Sequence, residues 1–203
     1  VIKSYCDVTL RKERNENEYK EALFVIKSTA EKMAQLIQRI LDISRLEGKN
    51  VIIKKEVVDI GLILEDVFKL MFPIAQGGEI ELSLKNVCEG IKVSGDKERL
   101  TEVFLNIVDN AVKYNKKGGS VVISSETKNG SVIIAVSDTG IGIPEEHQDK
   151  LFDRFYRIDD SRGEISSVGL GLSIAKAIVD AHDGKIEVKS KEHCDVVGQD
   201  CER

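Results

Sequence analysis

The sequence predicts an α+β protein: an α/β sandwich, with helices on one face of a mixed sheet, preceded by a two-helix hairpin that dimerises into a four-helix bundle. Three observations carry this. Leu23, Ile26, Ala30, Met33, Ile37 and Ile40 alternate spacings of three and four, which is a heptad seam. Lys128-Asn129-Gly130 separates two β-rich runs, a strong hairpin signal. Between and after these, strand-like runs alternate with amphipathic helical stretches.

In chain order, Ile2, Tyr5, Cys6, Thr9 and Leu10 fall at helical spacing. The charged, Asn-rich stretch Arg11 to Asn17 reads as a turn, with Asn15 and Glu18 as a helix start. The second helix covers Glu18 to Leu46, and Leu36, Leu41 and Ile43 widen its apolar face. Two such helices cannot bury that face alone. Dimerisation buries it, and packing on the chain's own second domain is the alternative. Gly48-Lys49-Asn50 breaks the pattern, so residues 1–47 and 48–203 are the expected domains.

Val51 to Val58 is a candidate strand. Ile60 to Ile74 is a helix with Ile60, Ile63, Leu64, Val67, Leu70 and Met71 inward, stopped near Pro73. Ile80 to Leu84 alternates as a strand does. Arg99 to Tyr114 is a helix with Asp96 as its possible cap and Leu100, Phe104, Ile107, Val108 and Ala111 on one side. Strands follow at Ser120 to Thr127 and Ser131 to Asp138. Pro144 to Ser167 is long, polar and mixed, with a short amphipathic piece at Leu151 to Tyr156, and suits a mobile lid. A helix over Gly169 to Ala181 and a strand over Lys185 to Ser190 complete the pattern.

Three stretches bear chemistry. Asp138-Thr139-Gly140-Ile141-Gly142 follows a buried strand, with Asp138 on the face of Val132, Ile134 and Val136. It is either an Asp-Gly turn or a ligand-facing loop, since Gly140 and Gly142 let backbone approach a ligand closely. Asn106, Asn110 and Lys113 line one helix face, which suits a phosphate–metal ligand or, equally, solvent. Gly169, Leu170, Gly171 and Leu172 open a helix, where backbone N–H groups can meet an anion.

In this order and spacing the stretches resemble the ATP-binding domain of bacterial sensor histidine kinases, within the gyrase–Hsp90–kinase–MutL superfamily. Leu105 to Tyr114 resembles the N box, Asp138 to Gly142 the G1 box, Leu151 to Arg157 the F box and Gly169 to Leu172 the G2 box. The resemblance covers nearly the whole chain. It implies ATP and Mg²⁺ as cofactors, with Asp138 accepting from the adenine amino group and Asn110 ligating the metal through its amide oxygen. Asn106 and Lys113 would meet the phosphates, Tyr114 would cover the adenine, and Gly169 to Leu172 would give N–H groups to the phosphates. Arg154 would reach the γ-phosphate. Asn106, Lys113 and Arg154 are thus the candidate catalytic residues. Phe152 and Phe155 are expected as lid anchors or ordinary core aromatics, and His147 at the surface.

Superfamily members that hydrolyse ATP carry a Glu where Asn106 stands. An amide cannot act as general base, so Asn106 argues for transfer to a protein side chain. Glu102, one turn earlier, is the rival base. The helical hairpin resembles the family's dimerisation and phosphoacceptor domain, yet residues 1–47 contain no histidine. Val1-Ile2-Lys3-Ser4 resembles the sequence just after the acceptor motif, so the chain is expected to lack the acceptor and not to phosphorylate itself. The implied partners are a second copy, through residues 1–47, and a response-regulator receiver domain. The tail Lys191 to Arg203 has no recognisable third Gly-rich box or final strand, and Ser166-Ser167-Val168 replaces the usual Gly-rich run before the G2 box.

Composition narrows the classes. The net charge of −5 offers no global basic field for nucleic acid. No apolar run approaches the about 18 residues of a membrane span, which leaves a soluble piece of a parent that could itself be membrane-anchored. Cys6, Cys88, Cys194 and Cys201 form no CxxC pair and fit reduced thiols of a cytosol. His182, His193 and Cys194 lack zinc-site spacing. No GxxxxGK[ST] occurs, which excludes a P-loop. Two other readings stay open: a dimerising module that holds nucleotide without catalysis, and an ATPase or serine kinase of the same superfamily.

Overall fold

The structure is a computed structural model that describes residues 1–47, 53–87, 90–158 and 169–190. The chain divides into two compact units, Val1–Asn50 and Val51–Arg203.

The first unit holds α1 (Ile2–Leu10) and α2 (Glu16–Glu47), which pack on each other. The start of α2 is a reciprocal cap. Glu18 N–H donates to Asn15 Oδ1 at 2.9 Å, and Asn15 N–H donates to Glu18 Oε2 at 3.1 Å. Ala22 is buried, whereas Leu23, Met33 and Ile37 of the heptad seam are more than half exposed in the single chain. The Leu36, Ile40, Leu41 and Ile43 side chains lie outside the described residues.

The second unit contains β1 (Glu56–Asp59), α3 (Ile60–Gly77), β2 (Glu81–Lys85), β3 (Lys92–Gly95), α4 (Lys97–Lys113), β4 (Ser120–Lys128), β5 (Ser131–Asp138), α5 (Glu145–Gln148) and α6 (Gly171–Ala181). β1 and β3 form an antiparallel pair, with Glu56 opposite Gly95 and Asp59 opposite Lys92. β4 is the middle of a mixed three-stranded sheet, parallel to β2 and antiparallel to β5. The register places Leu82, Val121 and Asp138 in one row and Leu84, Ile123 and Val136 in the next. Val121 and Ile123 are fully buried, so this is the core face. α3 packs on β2, α4 packs on β4 and β5, and α3 and α6 both pack on α4. Ile63, Leu64, Val67, Val108, Ile174 and Ile178 fill the layer between, each contributing about 1.5–3 kcal/mol by burial.

β1 and β3 each hand over to a helix through an aspartate. Asp59 accepts from Leu62 N–H at 3.3 Å, and Asp96 accepts from Arg99 N–H at 3.1 Å. Partial burial pushes the Asp96 carboxyl up, but the backbone N–H groups of Arg99, Lys54 and Glu98 and the Arg99 charge outweigh it, and the carboxyl titrates below the ordinary aspartate range. A depressed folded value means stability that is present at neutral pH and lost as pH falls through that value. Asp96→Asn keeps a capping oxygen without the charge. The expected result is a flatter loss of stability below pH 5 than in the unchanged chain, read from urea midpoints at pH 7 and pH 3. Parallel acid profiles would show that the carboxylate charge is irrelevant there.

The structure corrects four expectations. The third helix continues past Pro73 to Gly77, because buried Met71 and Ala75 hold both sides of the missing N–H bond in the core. Leu70 is 58 % exposed; its neighbour Met71 takes the inward position. β1 is only Glu56–Asp59, pairing with a β3 that the sequence did not announce; residues 51 and 52 lie outside the described residues. Lys185 to Ser190 forms no ladder with a described strand. Its last residue is held by one side chain and one backbone group instead: Gln148 Nε2 donates to Ser190 O at 2.9 Å, and Ser190 Oγ accepts from Ile143 N–H at 2.9 Å. The tail after Ser190 and the last part of the expected lid, residues 159–167, lie outside the described residues.

Candidate functional site

α4 is the spine of the site. Its buried side is Leu100, Val103, Phe104, Val108, Ala111 and Val112. The 3.6-residue period then sets Asn106 and Asn110 at the half-buried margin, with Lys113 exposed at the last turn. The Lys113 ammonium lies over the Tyr114 ring, 5.4 Å from its centroid.

One loop docks on the end of this helix. Ile141 N–H donates to Tyr114 O at 3.2 Å. A methyl group at Gly140 would come within 2.6 Å of Tyr114 O, so a side chain there would push the loop off the helix. Asp138 ends the core-facing row of β5 but is itself exposed, and its Oδ1 accepts from Gly140 N–H at 2.8 Å. The carboxylate thus forms the turn and still presents acceptor positions outward. Thr139 fixes the loop from the other side: Ser120 N–H donates to Thr139 Oγ1 at 2.8 Å, and Asn115 Nδ2 donates to Ser120 O at 3.0 Å. Gly142 has a left-handed φ of 74°.

The start of α6 docks further back along α4. A methyl group at Gly171 would lie 3.0 Å from Asn106 Oδ1, so the N-box amide and this glycine are in close approach. Leu170 anchors the segment with 1 % exposure, while Leu172 is half-buried. Among the described residues no side chain caps the N-terminus of α6, and no acidic residue stands in its first turn. Its first N–H groups and positive dipole end are therefore suited to an anion.

The turn at 151–157 backs onto this segment. Phe155 N–H donates to Gly169 O at 3.0 Å, and a methyl group at Gly169 would lie 2.7 Å from Tyr156 O. Phe155 itself has φ 61°, a left-handed conformation that costs a bulky residue on the order of 1–3 kcal/mol. The residue is 58 % exposed, which rules out the core-aromatic alternative and leaves the lid-anchor one untested. Arg154 lies exposed on the same turn. Phe152 is half-buried beneath the Lys176 ammonium, 5.8 Å from its ring centroid. His147 is not a free surface residue: it is half-buried and its Nδ1 hydrogen-bonds Tyr156 OH at 2.5 Å.

Residues 95–200 match the sequence model of the histidine kinase-, DNA gyrase B- and HSP90-like ATPases, and this stretch holds the whole cluster just described. The chain belongs to that ATPase family. Sensor protein SrrB of Staphylococcus aureus strain N315 is 33% identical over 177 residues, which are 86% of this chain and 30% of that protein. The chain therefore spans about 30% of the length of that curated relative. Full-length ShkA in complex with AMPPNP has a similar fold, with TM-score 0.71, 25% identity, and coverage of 84% of this chain and 35% of that one. The histidine kinase ThkA, in complex with the response regulator protein TrrA, superposes with TM-score 0.69 and 22% identity over 90% of this chain and 50% of that one. Within the ATPase family, then, the chain matches the ATP-binding region of sensor histidine kinases, with the mixed sheet and N-terminal helical hairpin of that class.

The ATPase-family boxes are brought together by contacts with no periodic signal in the sequence. Asn106 meets Gly171 from 65 positions away, and Tyr114 meets Gly140 from 26 positions away. His182 directly follows the helix expected over Gly169 to Ala181. It does cap α6, and its ring also ties α6 to α4: Nε2 accepts from Asp96 N–H at 2.9 Å while Nδ1 lies 2.8 Å from Ile178 O. The acceptor role of Nε2 leaves the proton on Nδ1, which donates to Ile178 O. Among the described residues no group of three His, Cys, Asp or Glu side chains is placed to hold a metal ion. A lone amide oxygen at Asn110 fits an ion that arrives with phosphate and keeps several waters, as Mg²⁺ does. No described helix is long and apolar enough to cross a membrane.

Proposed function

We propose that this chain is the nucleotide-binding and phosphoryl-transferring part of a sensor histidine kinase. It binds Mg-ATP and donates the γ-phosphoryl group to a histidine on a helix bundle, from which a response-regulator aspartate takes it. The observation that carries this reading is the convergence of both glycine loops on α4, with Gly140 against Tyr114 and Gly171 against Asn106. ShkA, which shares the fold, holds the adenine nucleotide AMPPNP.

In this reading Asp138 accepts from the adenine amino group at the outer end of the core row. Tyr114 covers the base, and Gly140 and Gly142 let the backbone close on it. Asn106 and Lys113 meet the phosphates together with the N–H groups of Gly169, Leu170, Gly171 and Leu172. Lys113 acts as a point charge, and Arg154 approaches the γ-phosphate. Asn110 gives an oxygen to Mg²⁺, which neutralises phosphate charge when bound. Asn106 offers no carboxylate to activate water, so transfer to an imidazole is favoured over hydrolysis. The half-exposed seam of Leu23, Met33 and Ile37 supports a second copy as the partner of the first unit. ThkA, with its response regulator, offers the precedent for the second partner.

The test is phosphoryl transfer in trans. The chain is mixed with radiolabelled Mg-ATP and a separate helical hairpin that carries an acceptor histidine. The expected product is acid-labile, base-stable phosphate on the hairpin, with none on the chain's own His147, His182 or His193. Label that stays absent from the hairpin while ATP is still bound would leave only a nucleotide-holding module.

A further inference from the structure

The His147–Tyr156 contact has no place in the reading above. α5 projects His147 toward the turn at 151–157, and Tyr156 reaches back nine positions to meet it at 2.5 Å. His147 keeps 27 % of its side-chain surface exposed, and its Nε2 is 3.5 Å from Glu146. Beside Tyr156 in the chain stands Phe155, left-handed at φ 61° and 58 % exposed. Ring burial therefore does not hold Phe155 in this conformation. Two hydrogen bonds are available to do so: Phe155 N–H to Gly169 O at 3.0 Å, and that of the next residue, Tyr156 OH, to His147.

The backbone so held is what Gly169 rests against. Gly169 has φ 71°, and a methyl group added there would meet Tyr156 O and the Phe155 carbonyl carbon and Cα. One residue later Leu170 enters the core, and α6 begins with N–H groups that no described side chain caps. We propose that His147 and Tyr156 are positioning residues for the polyphosphate half of the nucleotide site. Their hydrogen bond keeps Phe155 left-handed, and Phe155 with Tyr156 fixes where Gly169 to Leu172 present their N–H groups. The adenine half is held separately, by Asp138 to Gly140, Ile141 to Tyr114 and Ser120 to Thr139. The clasp acts on phosphate recognition and leaves adenosine recognition alone. This inference rests on the nucleotide reading of the site.

That separation gives a readout that a general loss of folding would not produce. Adenosine and ADP with Mg²⁺ are titrated by NMR into the unchanged chain and into Tyr156→Phe, with thermal melts of both. Tyr156→Phe is expected to weaken ADP about five- to tenfold, the range of one hydrogen bond, with adenosine unchanged within about twofold. His147→Ala does the same, and it carries the test should Tyr156→Phe not fold. Phe155→Gly in the Tyr156→Phe background is expected to restore ADP affinity, because glycine takes a positive φ without strain. Unchanged ADP affinity in Tyr156→Phe, an equal loss of adenosine and ADP, or no rescue by Phe155→Gly each overturns the proposal. No ADP binding by the unchanged chain removes the nucleotide reading and this inference with it, whereas binding that Tyr156→Phe does not alter removes the inference alone.

Discussion

Asp138→Ala is expected to weaken ADP binding by about ten- to a hundredfold, the equivalent of roughly 1.5–3 kcal/mol for one hydrogen bond to a charged group. Asp138 stands opposite Val121 at the end of the core-facing row, where the sheet opens to solvent. One oxygen already accepts from Gly140 N–H at 2.8 Å. A carboxylate has about four acceptor positions, so the adenine amino group can still be met. Alanine removes the acceptor and the turn bond together. Asp138→Asn separates the two effects, since the amide oxygen still accepts from Gly140 N–H. Because Asp138 is exposed, neither change should cost much stability, and affinity can be read on a folded protein by calorimetry. Equal ADP affinity in the unchanged chain and in Asp138→Ala would take Asp138 out of the site.

The sequence was most informative where local chemistry decides the structure. Asn129 and Gly130 both take positive φ, 53° and 76°, and join Lys128 to Ser131 in a two-residue hairpin as the Asn-Gly pair requires. Asn15 with Glu18, and Asp96 before α4, form the caps their spacing implies. The row of Val132, Ile134 and Val136 shares its face with Asp138 by strand parity alone, and the register puts that face opposite buried Val121 and Ile123. Family motifs then supplied the ligand that parity could not.

What was hidden depends on tertiary context. Pro73 carries a strong local signal to stop a helix, yet burial of Met71 and Ala75 overrides it. Lys185 to Ser190 alternates like a strand, but alternation does not say whether a partner edge is there. Phe155 shows only apolar character in the sequence; its left-handed backbone and its hydrogen bond to Gly169, 14 positions on, leave no local trace. The His182 link to Asp96 spans 86 positions and leaves no periodic trace. These long-range contacts locate the site, and the caps and turns locate only its parts.

Gly169→Ala is the most damaging small substitution expected in the second unit, and Gly130→Ala is its control. Both glycines are left-handed, at φ 71° and 76°. An alanine forced into that region costs about 1–2 kcal/mol at either position. The surroundings differ. Among the described residues nothing lies within 4 Å of a methyl group at Gly130, so the hairpin should lose only the conformational cost. At Gly169 the methyl would meet Tyr156 O at 2.7 Å, the Phe155 carbonyl carbon at 2.8 Å and Phe155 Cα at 3.0 Å. All three are backbone atoms, which cannot swing aside as a side-chain tip can. Relief requires moving the 155–156 turn or the start of α6, adding about 1–3 kcal/mol of overpacking. Gly169→Ala is therefore expected to cost about 2–5 kcal/mol in all, on the order of 10 °C in the melting temperature of a unit this size. It should also shift the N–H groups of Gly169 to Leu172 and lower ADP affinity, whereas Gly130→Ala leaves ADP affinity unchanged. Urea denaturation and ADP calorimetry on both variants make the comparison. Equal destabilisation of the two would mean that the close approach of Gly169 to Phe155 and Tyr156 contributes nothing beyond its φ.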